Sequence, residues 1–404
     1  MNQVINTSAF LDEANYSETR LPTEKAVSID PRAYYDQEFY NLEKKQVFKR
    51  NWVVAGPVDR VINSGDILVT EVAGQSIIVT MDEDKELRAF YNVCRHRGAR
   101  LCSSSGTTSK YIKCPYHSWG YNLKGECVGT PMFTKGASRR EIEMHDMSQL
   151  IGFDKKDFSL FPVRVAQWGM LIFVCLDDTT PPLDEYVGDL TSRLANHKLN
   201  EMKVLKEQTY EINCNWKLLM ENAIEYYHLP TVHPRLAKTS KIADHHRWQG
   251  TGMYCGICTS PVSTTDDSGW LSMKNLSSLT EIEKNSGYFF TLFPNIVIFI
   301  MPSHSFIIHA QPVGPTKTVE TAWLMGHPDC VDEMSGSAID EVMEFWDQVN
   351  TEDVEICEQV QQGVMTDVYP GGRMCYQFEE PVHRFQNMVI DSMVSRRHIP
   401  KGDE

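Results

Sequence analysis

Short apolar runs separated by glycine-containing turns dominate the first part of the chain. Residues 67–70 and 77–80 are rich in Ile, Val and Thr, and the stretches 63–65 and 73–74 interrupt them. Apolar runs of this length, bounded by turn residues, are typical of β-strands. The pattern continues through two cysteine-containing segments, so we predict a domain made of β-strands.

Longer periodic segments follow in the second half of the chain. Residues 216–229 and 338–362 place apolar side chains at helical spacing, whereas residues 288–301 and 304–313 have the composition of strands. The combination predicts helices together with an antiparallel sheet.

These patterns divide the chain into three segments. We predict an N-terminal arm and helix over residues 1–45, a small all-β domain over residues 46–162, and a larger domain over residues 163–404. The arm is expected to pack on the larger domain. The fold class is therefore α+β, with the antiparallel sheet in the larger domain.

Composition narrows the classes of protein to consider. Of 404 residues, 42% are hydrophobic and 23% are charged, which is typical of a folded globular protein. The net charge of −15 argues against a nucleic-acid partner, because phosphate backbones are bound by Lys and Arg. No apolar run approaches the ~18 residues of a membrane span, and the N-terminus lacks a signal-peptide pattern. We expect a cytoplasmic protein, not bound to membranes, with reduced cysteines.

Two cysteine–histidine pairs stand out in the β domain. Cys94-x-His96 and Cys114-x-x-His117 are separated by 17 residues, and each pair follows a predicted strand. Two thiolates and two imidazoles could hold a zinc ion, but a Cys-x-His pair is tighter than the usual zinc-finger loops. The set suits a [2Fe–2S] cluster with both cysteines on one iron and both histidines on the other. Two unrelated coincidences are the remaining alternative.

A second group of metal-binding residue types lies on the predicted helix 216–229. At about 100° per residue, Glu221, Glu225 and His228 share one face of this helix. Pro230 ends the helix, so His233 can fold back toward His228. Two converging histidines supply two of the three ligands of a 2-His-1-carboxylate iron site, which leaves positions open for oxygen. Ordinary histidines at a helix end are the alternative.

The predicted helix 338–362 offers the missing carboxylate. Its apolar stripe places Asp353 on the buried face, whereas the wheel points three other acids elsewhere, namely Glu352, Glu355 and Glu358. Because a buried carboxylate requires a partner or a metal to offset its desolvation, we predict that Asp353 is the third ligand, with Glu352 as the second choice. A buried Asp held by backbone donors is the alternative.

Both regions resemble one known family. The two cysteine–histidine loops resemble the signature of Rieske iron–sulfur domains of the oxygenase branch, and the second half resembles the helix-grip catalytic domain of Rieske non-heme iron oxygenases. The resemblance covers residues 35–395. It implies a Rieske [2Fe–2S] cluster, mononuclear non-heme Fe(II) at His228, His233 and Asp353, and a homotrimer.

The resemblance also implies a path for electrons. The acid three residues before the first histidine ligand, here Glu225, would connect His117 of one protomer to His228 of the next. Relatives usually have Asp at this position, and Glu followed by x-Tyr-His is similar to the branch that oxidises carnitine and glycine betaine. The chain has no G-x-G-x-x-G unit after a strand. Electrons from NAD(P)H are therefore expected through a separate flavin/iron–sulfur reductase, with or without a ferredoxin.

Three functions are compatible with these features. The first is an oxygenase component that uses O₂ to hydroxylate a small quaternary ammonium or betaine-like substrate, by N-demethylation or C-hydroxylation. The second is monooxygenation or dioxygenation of an aromatic ring or aromatic acid. The third is a Rieske electron carrier without oxygenase activity, which the second metal site argues against. An aromatic cage for an ammonium group would draw on the aromatic residues of the second half: Tyr226, Tyr227, Phe289, Phe290, Phe293, Phe299 and Phe306.

Overall fold

The computed structural model describes residues 8–131, 153–260, 273–331 and 336–403. The chain divides into a smaller unit, Val53–Thr179, and a larger unit made of Met1–Trp52 together with Thr180–Glu404. The smaller unit is therefore an insertion in the sequence of the larger one.

Antiparallel strands make up the smaller unit. They pair as a seven-stranded sheet of order β1-β10-β9-β4-β3-β2-β5 and a three-stranded sheet of order β6-β7-β8. The strands are β1 (Val53–Pro57), β2 (Asp66–Val72), β3 (Gln75–Met81), β4 (Leu87–Tyr91), β5 (Gly106–Thr107), β6 (Tyr111–Lys113), β7 (Gly120–Asn122), β8 (Cys127–Gly129), β9 (Pro162–Trp168) and β10 (Leu171–Cys175).

The turn between β2 and β3 explains why the sequence forms a hairpin here. Val72 pairs with Gln75, and the two residues between them, Ala73 and Gly74, both have positive φ, 53° and 76°. A two-residue loop with this geometry matches the right-handed twist of the strands. The predicted domain boundary at residue 162 falls inside this sheet, at the first residue of β9, which pairs with β4 and β10.

The larger unit contains one seven-stranded antiparallel sheet and the helices. The sheet order is β11-β17-β16-β15-β14-β13-β12. Its strands are β11 (Lys203–Ile212), β12 (His245–Arg247), β13 (Tyr254–Thr259), β14 (Gly287–Leu292), β15 (Ile296–Ile300), β16 (His304–Gly314) and β17 (Lys317–Gly326). The helices are α1 (Gln37–Glu43), α2 (Leu183–Val187), α3 (Leu190–Arg193), α4 (Trp216–Asn222), α5 (Leu229–Val232), α6 (Leu236–Thr239), α7 (Pro328–Val331), α8 (Gly336–Val364) and α9 (Tyr376–Met393). The α+β fold class is confirmed.

Two predicted elements of the larger unit are wrong. The single strand predicted over residues 288–301 is the hairpin of β14 and β15, because Pro294 cannot donate to the ladder and the chain turns there. The helix predicted over residues 216–229 ends at Asn222, and Pro230 lies in the first turn of α5, where its missing N–H costs nothing. The helix predicted over residues 338–362 is confirmed as α8.

The N-terminal segment is joined to two helices of the larger unit by polar contacts. Lys217 of α4 pairs with Glu43 at 2.5 Å, and both side chains are almost completely buried. Arg20 pairs with Asp391 of α9 at 2.6 Å. Because leaving one member of a buried ion pair alone is costly, these contacts hold the segment in register with both helices.

None of the helices in the described ranges combines the length and the apolar character needed to cross a lipid bilayer.

Candidate metal centres

The two cysteine–histidine loops of the smaller unit close in the same way. One loop follows β4 and the other connects β6 to β7. In the first loop, the Cys94 N–H donates to the Ala99 carbonyl, and the Cys94 carbonyl accepts from the N–H of Gly98, which has a positive φ. In the second loop, the Cys114 N–H donates to the Trp119 carbonyl, and the Cys114 carbonyl accepts from the N–H of Ser118, which also has a positive φ. Two equivalent tips thus present one thiol and one imidazole each.

The imidazoles of the two loops face each other. The rings of His96 and His117 lie 4.7 Å apart, centroid to centroid, at an interplanar angle of 70°. His96 also stacks on Trp119 at 4.8 Å. His117 Nδ1 is buried and has no hydrogen-bond partner in the described parts of the chain. A buried ring nitrogen left without a partner is costly, and a metal bound at Nδ1 would satisfy it.

The two sulfurs lie in the protein interior. Cys94 and Cys114 are each 2% exposed, and burial raises the pKa of the Cys94 thiol. Tyr121 Oη accepts the Arg95 N–H at 3.0 Å and lies 3.3 Å from Cys94 Sγ, so it can donate its own proton to a Cys94 thiolate. A metal would lower the cost of burying these thiolates.

The chemistry of the four residues suits a cluster of two irons. Each loop offers one thiol and one imidazole, and the two imidazoles lie side by side. This set matches a two-iron cluster with both cysteines on one iron and both histidines on the other.

The second site brings together the three residues predicted as mononuclear iron ligands. Asp353 Oδ1 lies 2.8 Å from His233 Nε2 and 3.5 Å from His228 Nε2. His228 immediately precedes α5, His233 immediately follows it, and Asp353 lies within α8. The arrangement of two imidazoles and one carboxylate suits a non-heme iron ion with open positions.

Each histidine of this site is oriented by a second carboxylate. Glu225 Oε1 bonds His228 Nδ1, and Glu352 Oε2 lies 2.7 Å from His233 Nδ1. Burial opposes protonation of His233, but Asp353 and Glu352 together raise its pKa. With both Nδ1 atoms held from behind, both Nε2 atoms face the same point. Glu352, predicted as the second choice for a ligand, contacts His233 on the nitrogen opposite the one that faces Asp353.

Glu225 also explains why the predicted helix is interrupted. Its carboxylate accepts the backbone N–H groups of Tyr227 and His228. A side chain that bonds nearby backbone donors competes with the helical hydrogen bonds of those residues. The chain therefore leaves the helix after Asn222, and His228 reaches the site from a turn rather than from a helical face.

An aromatic cavity of about 60 Å³ adjoins the three metal-facing atoms. Three of the aromatic residues considered from the sequence, Tyr226, Phe289 and Phe299, line it, and Tyr227, Phe290, Phe293 and Phe306 do not. The fourth aromatic wall is Trp346.

Sequence reasoning missed Trp346 as a cavity residue, although a signal was present. Trp346 lies seven residues before Asp353, which is two helical turns, so both side chains share one face of α8. The indole is fixed by a hydrogen bond from Nε1 to His304 Nε2 at 2.8 Å and by stacking on Phe306.

Models of two protein families match the chain. A Rieske [2Fe-2S] domain model matches residues 51–144. A model described as ring hydroxylating alpha subunit, catalytic domain, matches residues 199–395. The two matches cover most of the chain and each contains one of the candidate metal centres.

Two relatives illustrate the range of known activities. The glycine betaine monooxygenase oxygenase subunit of Pseudomonas aeruginosa is 27% identical over 404 residues, with 91% of this chain and 89% of the relative covered. Biphenyl dioxygenase subunit alpha of Metapseudomonas furukawaii is 33% identical over 211 residues, with 50% of this chain and 44% of the relative covered.

A solved structure shares the fold over nearly the whole chain. The quaternary ammonium Rieske monooxygenase CntA, in complex with its substrate L-carnitine, superposes with a TM-score of 0.77 at 21% identity. The superposition covers 94% of this chain and 98% of that one.

Proposed function

The chain belongs to the alpha subunits of the Rieske non-heme iron oxygenases, and from this premise we propose that it hydroxylates a small quaternary ammonium compound. Such subunits contain a [2Fe–2S] cluster and a mononuclear iron and receive electrons through a reductase. In N-demethylation, one atom of O₂ enters an N-methyl group and the other leaves as water, with two electrons from NAD(P)H. The resulting hemiaminal releases formaldehyde.

The observation that carries this proposal is the aromatic cavity beside the three convergent ligand atoms. Aromatic faces attract a quaternary ammonium group through their quadrupole, by about 0.5–2 kcal/mol each. The rings of Trp346, Phe299 and Phe289 line one cavity that also contains Asp353. An N-methyl group held there would lie next to the metal-facing atoms.

The proposed ligands follow from the geometry of each centre. The cluster is held by Cys94, His96, Cys114 and His117. The mononuclear iron, which supplies O₂ binding and reduction when present, is held by His228, His233 and Asp353. Glu225 and Glu352 accept the Nδ1 protons of the two histidines and so keep both Nε2 lone pairs directed at the iron.

Glu225 has a second proposed role as the bridge between centres. One carboxylate oxygen bonds His228 Nδ1. The carboxylate would also accept a hydrogen bond from His117 of a neighbouring protomer, so that an electron crosses from cluster to iron through a hydrogen-bonded path. The role requires contact between protomers, and we propose a homotrimer as the working assembly. We propose that this assembly is located in the cytoplasm.

Oxidation of an aromatic ring is the second candidate function. It is favoured by the 33% identity to a biphenyl dioxygenase alpha subunit over half of the chain. The mostly apolar lining of the cavity would accept a planar hydrocarbon as well as an ammonium group.

A substrate panel with the holoenzyme and a reductase distinguishes the two. We expect substrate-dependent O₂ and NADH consumption, with formaldehyde formed in equal amount, for trimethylammonium compounds, and none with biphenyl or benzoate. Turnover of the aromatic compounds alone would overturn the proposal in favour of ring oxidation. Asp353→Ala, assayed in parallel, shows how much NADH the reductase consumes without the oxygenase reaction.

A further inference from the structure

The Asp, Glu, Lys and Arg positions that line the aromatic cavity are all acidic. Asp353 and Glu225 line it, and none of its lining residues within the described ranges is Lys or Arg. We propose, building on the proposed function, that the substrate is a quaternary ammonium compound whose remaining substituent is uncharged, an alkyl or hydroxyalkyl group, and that a carboxylate on this substituent is selected against.

The undescribed parts of the larger unit do not change this balance. By sequence, residues 1–7, 261–272, 332–335 and 404 contain neither Lys nor Arg, and residues 261–272 contain two Asp. Every Lys and Arg of the larger unit is therefore described by the structure, and none of them is a wall of the cavity. Apart from the proposed iron, a carboxylate bound here would find no cationic partner from this unit.

His245, which lines the cavity and is not one of the proposed iron ligands, is uncharged. His245 donates its Nδ1 proton to the Lys241 carbonyl at 2.8 Å, and its Nε2 lies 3.2 Å from Ser240 Oγ. The ring stacks on Tyr226. With one nitrogen donating, the other placed to accept, and an aromatic ring covering one face, the neutral imidazole is favoured, and burial lowers the pKa of His245 in the same direction.

The donors of two aromatic walls are already used. Trp346 Nε1 donates to His304 Nε2, and Tyr226 Oη donates to the Gln377 carbonyl at 3.1 Å. The Asn222 amide also lines the cavity and can bond a hydroxyl group, but a neutral amide does not compensate the charge of a carboxylate. An ionised carboxylate removed from water without a charged partner is strongly disfavoured, whereas an alcohol or methyl group is not.

Matched pairs of compounds test this inference on the holoenzyme with its reductase. Choline is compared with glycine betaine, and butyltrimethylammonium with γ-butyrobetaine, because each pair differs mainly in the carboxylate. We expect kcat/KM, measured by formaldehyde release coupled to O₂ uptake, to be at least tenfold higher for the uncharged member of each pair.

The outcomes separate this inference from the function on which it rests. Equal or faster turnover of the carboxylated members would overturn the inference and leave the ammonium oxygenase proposal intact. Turnover of biphenyl with none of the four ammonium compounds would overturn both. An Asn222→Lys variant adds a cation to the wall, and a shift of its preference toward the carboxylated members by tenfold or more supports the inference, whereas an unchanged preference contradicts it.

Discussion

The two candidate metal centres are assembled from the chain in different ways. The cysteine–histidine site draws all four ligands from two loops 17 residues apart, and backbone hydrogen bonds within each loop shape it. The iron site joins His228 and His233 to Asp353, 120 residues later in the chain. The first geometry is therefore determined locally, and the second depends on how α8 packs in the larger unit.

The two centres also differ in the residues that contact their ligands. Around the cluster loops, aromatic rings and one phenol hydroxyl contact the ligands. Around the iron site, two carboxylates hold the rear nitrogens of the histidines. Carboxylates make the imidazoles more basic and orient them, whereas a hydroxyl donor tunes a sulfur. Substitutions should thus affect the two centres separately, and the following predictions test that separation.

Loss of the distant carboxylate should have the largest effect. Asp353→Ala leaves two histidines as ligands, so we expect iron per protomer to fall from about three to about two and turnover to fall at least about 100-fold. The visible absorbance of the cluster should be unchanged. Glu355→Ala, on an exposed position of the same helix, is the matched control. A variant that kept its third iron would show that another residue completes the site.

Removal of the proposed bridge should stop electron transfer between the two centres. Because Glu225→Ala also removes the carboxylate behind His228, the variant is first loaded with excess Fe(II). In the loaded variant we expect reoxidation of the reduced cluster in a single turnover to be slowed by about 100-fold, because the hydrogen-bonded path is broken. Glu225→Asp, which keeps a carboxylate on a shorter side chain, is expected to restore part of the rate. Wild-type reoxidation in the Ala variant would place the electron path elsewhere.

A smaller loss is expected from the carboxylate behind His233. Glu352→Gln replaces a charged acceptor with a neutral one, and changes of this kind weaken metal binding by about 10–100-fold. Iron retention against a chelator measures the effect, with Glu355→Gln as control. Retention equal to that of the control would mean that Glu352 does not support the ligand.

The smallest effect should arise at the cluster. Tyr121→Phe removes a proton directed at Cys94 Sγ, so the reduced cluster loses stabilisation and its potential should fall by tens of millivolts, on the order of one hydrogen bond. Tyr111→Phe, at an exposed position on β6, is the control. An equal potential in both variants would show that the Tyr121 hydroxyl does not act on the sulfur. Iron content should stay constant in both.

The same contrast explains what could be read from the sequence. The cluster ligands could be predicted from the sequence because spacing within short loops is a local property. Asp353 could be predicted because a carboxylate on the apolar stripe of a helix is conspicuous. The position of Glu352 behind His233 depends on the packing of two distant elements, which no local pattern contains. Ligand roles at both centres remain predictions.

Local signals also competed with one another. The helical periodicity of residues 216–229 was real, but the carboxylate of Glu225 bonds the backbone of the next residues and ends the regular helix. In the run 288–301, the Pro294-Asn295 dipeptide is the signal that separates two strands. In both cases one polar or cyclic residue outweighed a longer apolar pattern.

The insertion of the smaller unit has a consequence for biosynthesis. Residues 53–179 emerge from the ribosome as one uninterrupted stretch, so both cluster loops can fold while translation continues. The ion pair of Arg20 cannot form until Asp391, 371 residues later in the chain, has been synthesised. At a translation rate of about 5–20 residues per second, this takes roughly 20–75 s. During this interval the N-terminal segment has no α9 to pack against, so the nascent chain can acquire its cluster site well before its iron site is complete.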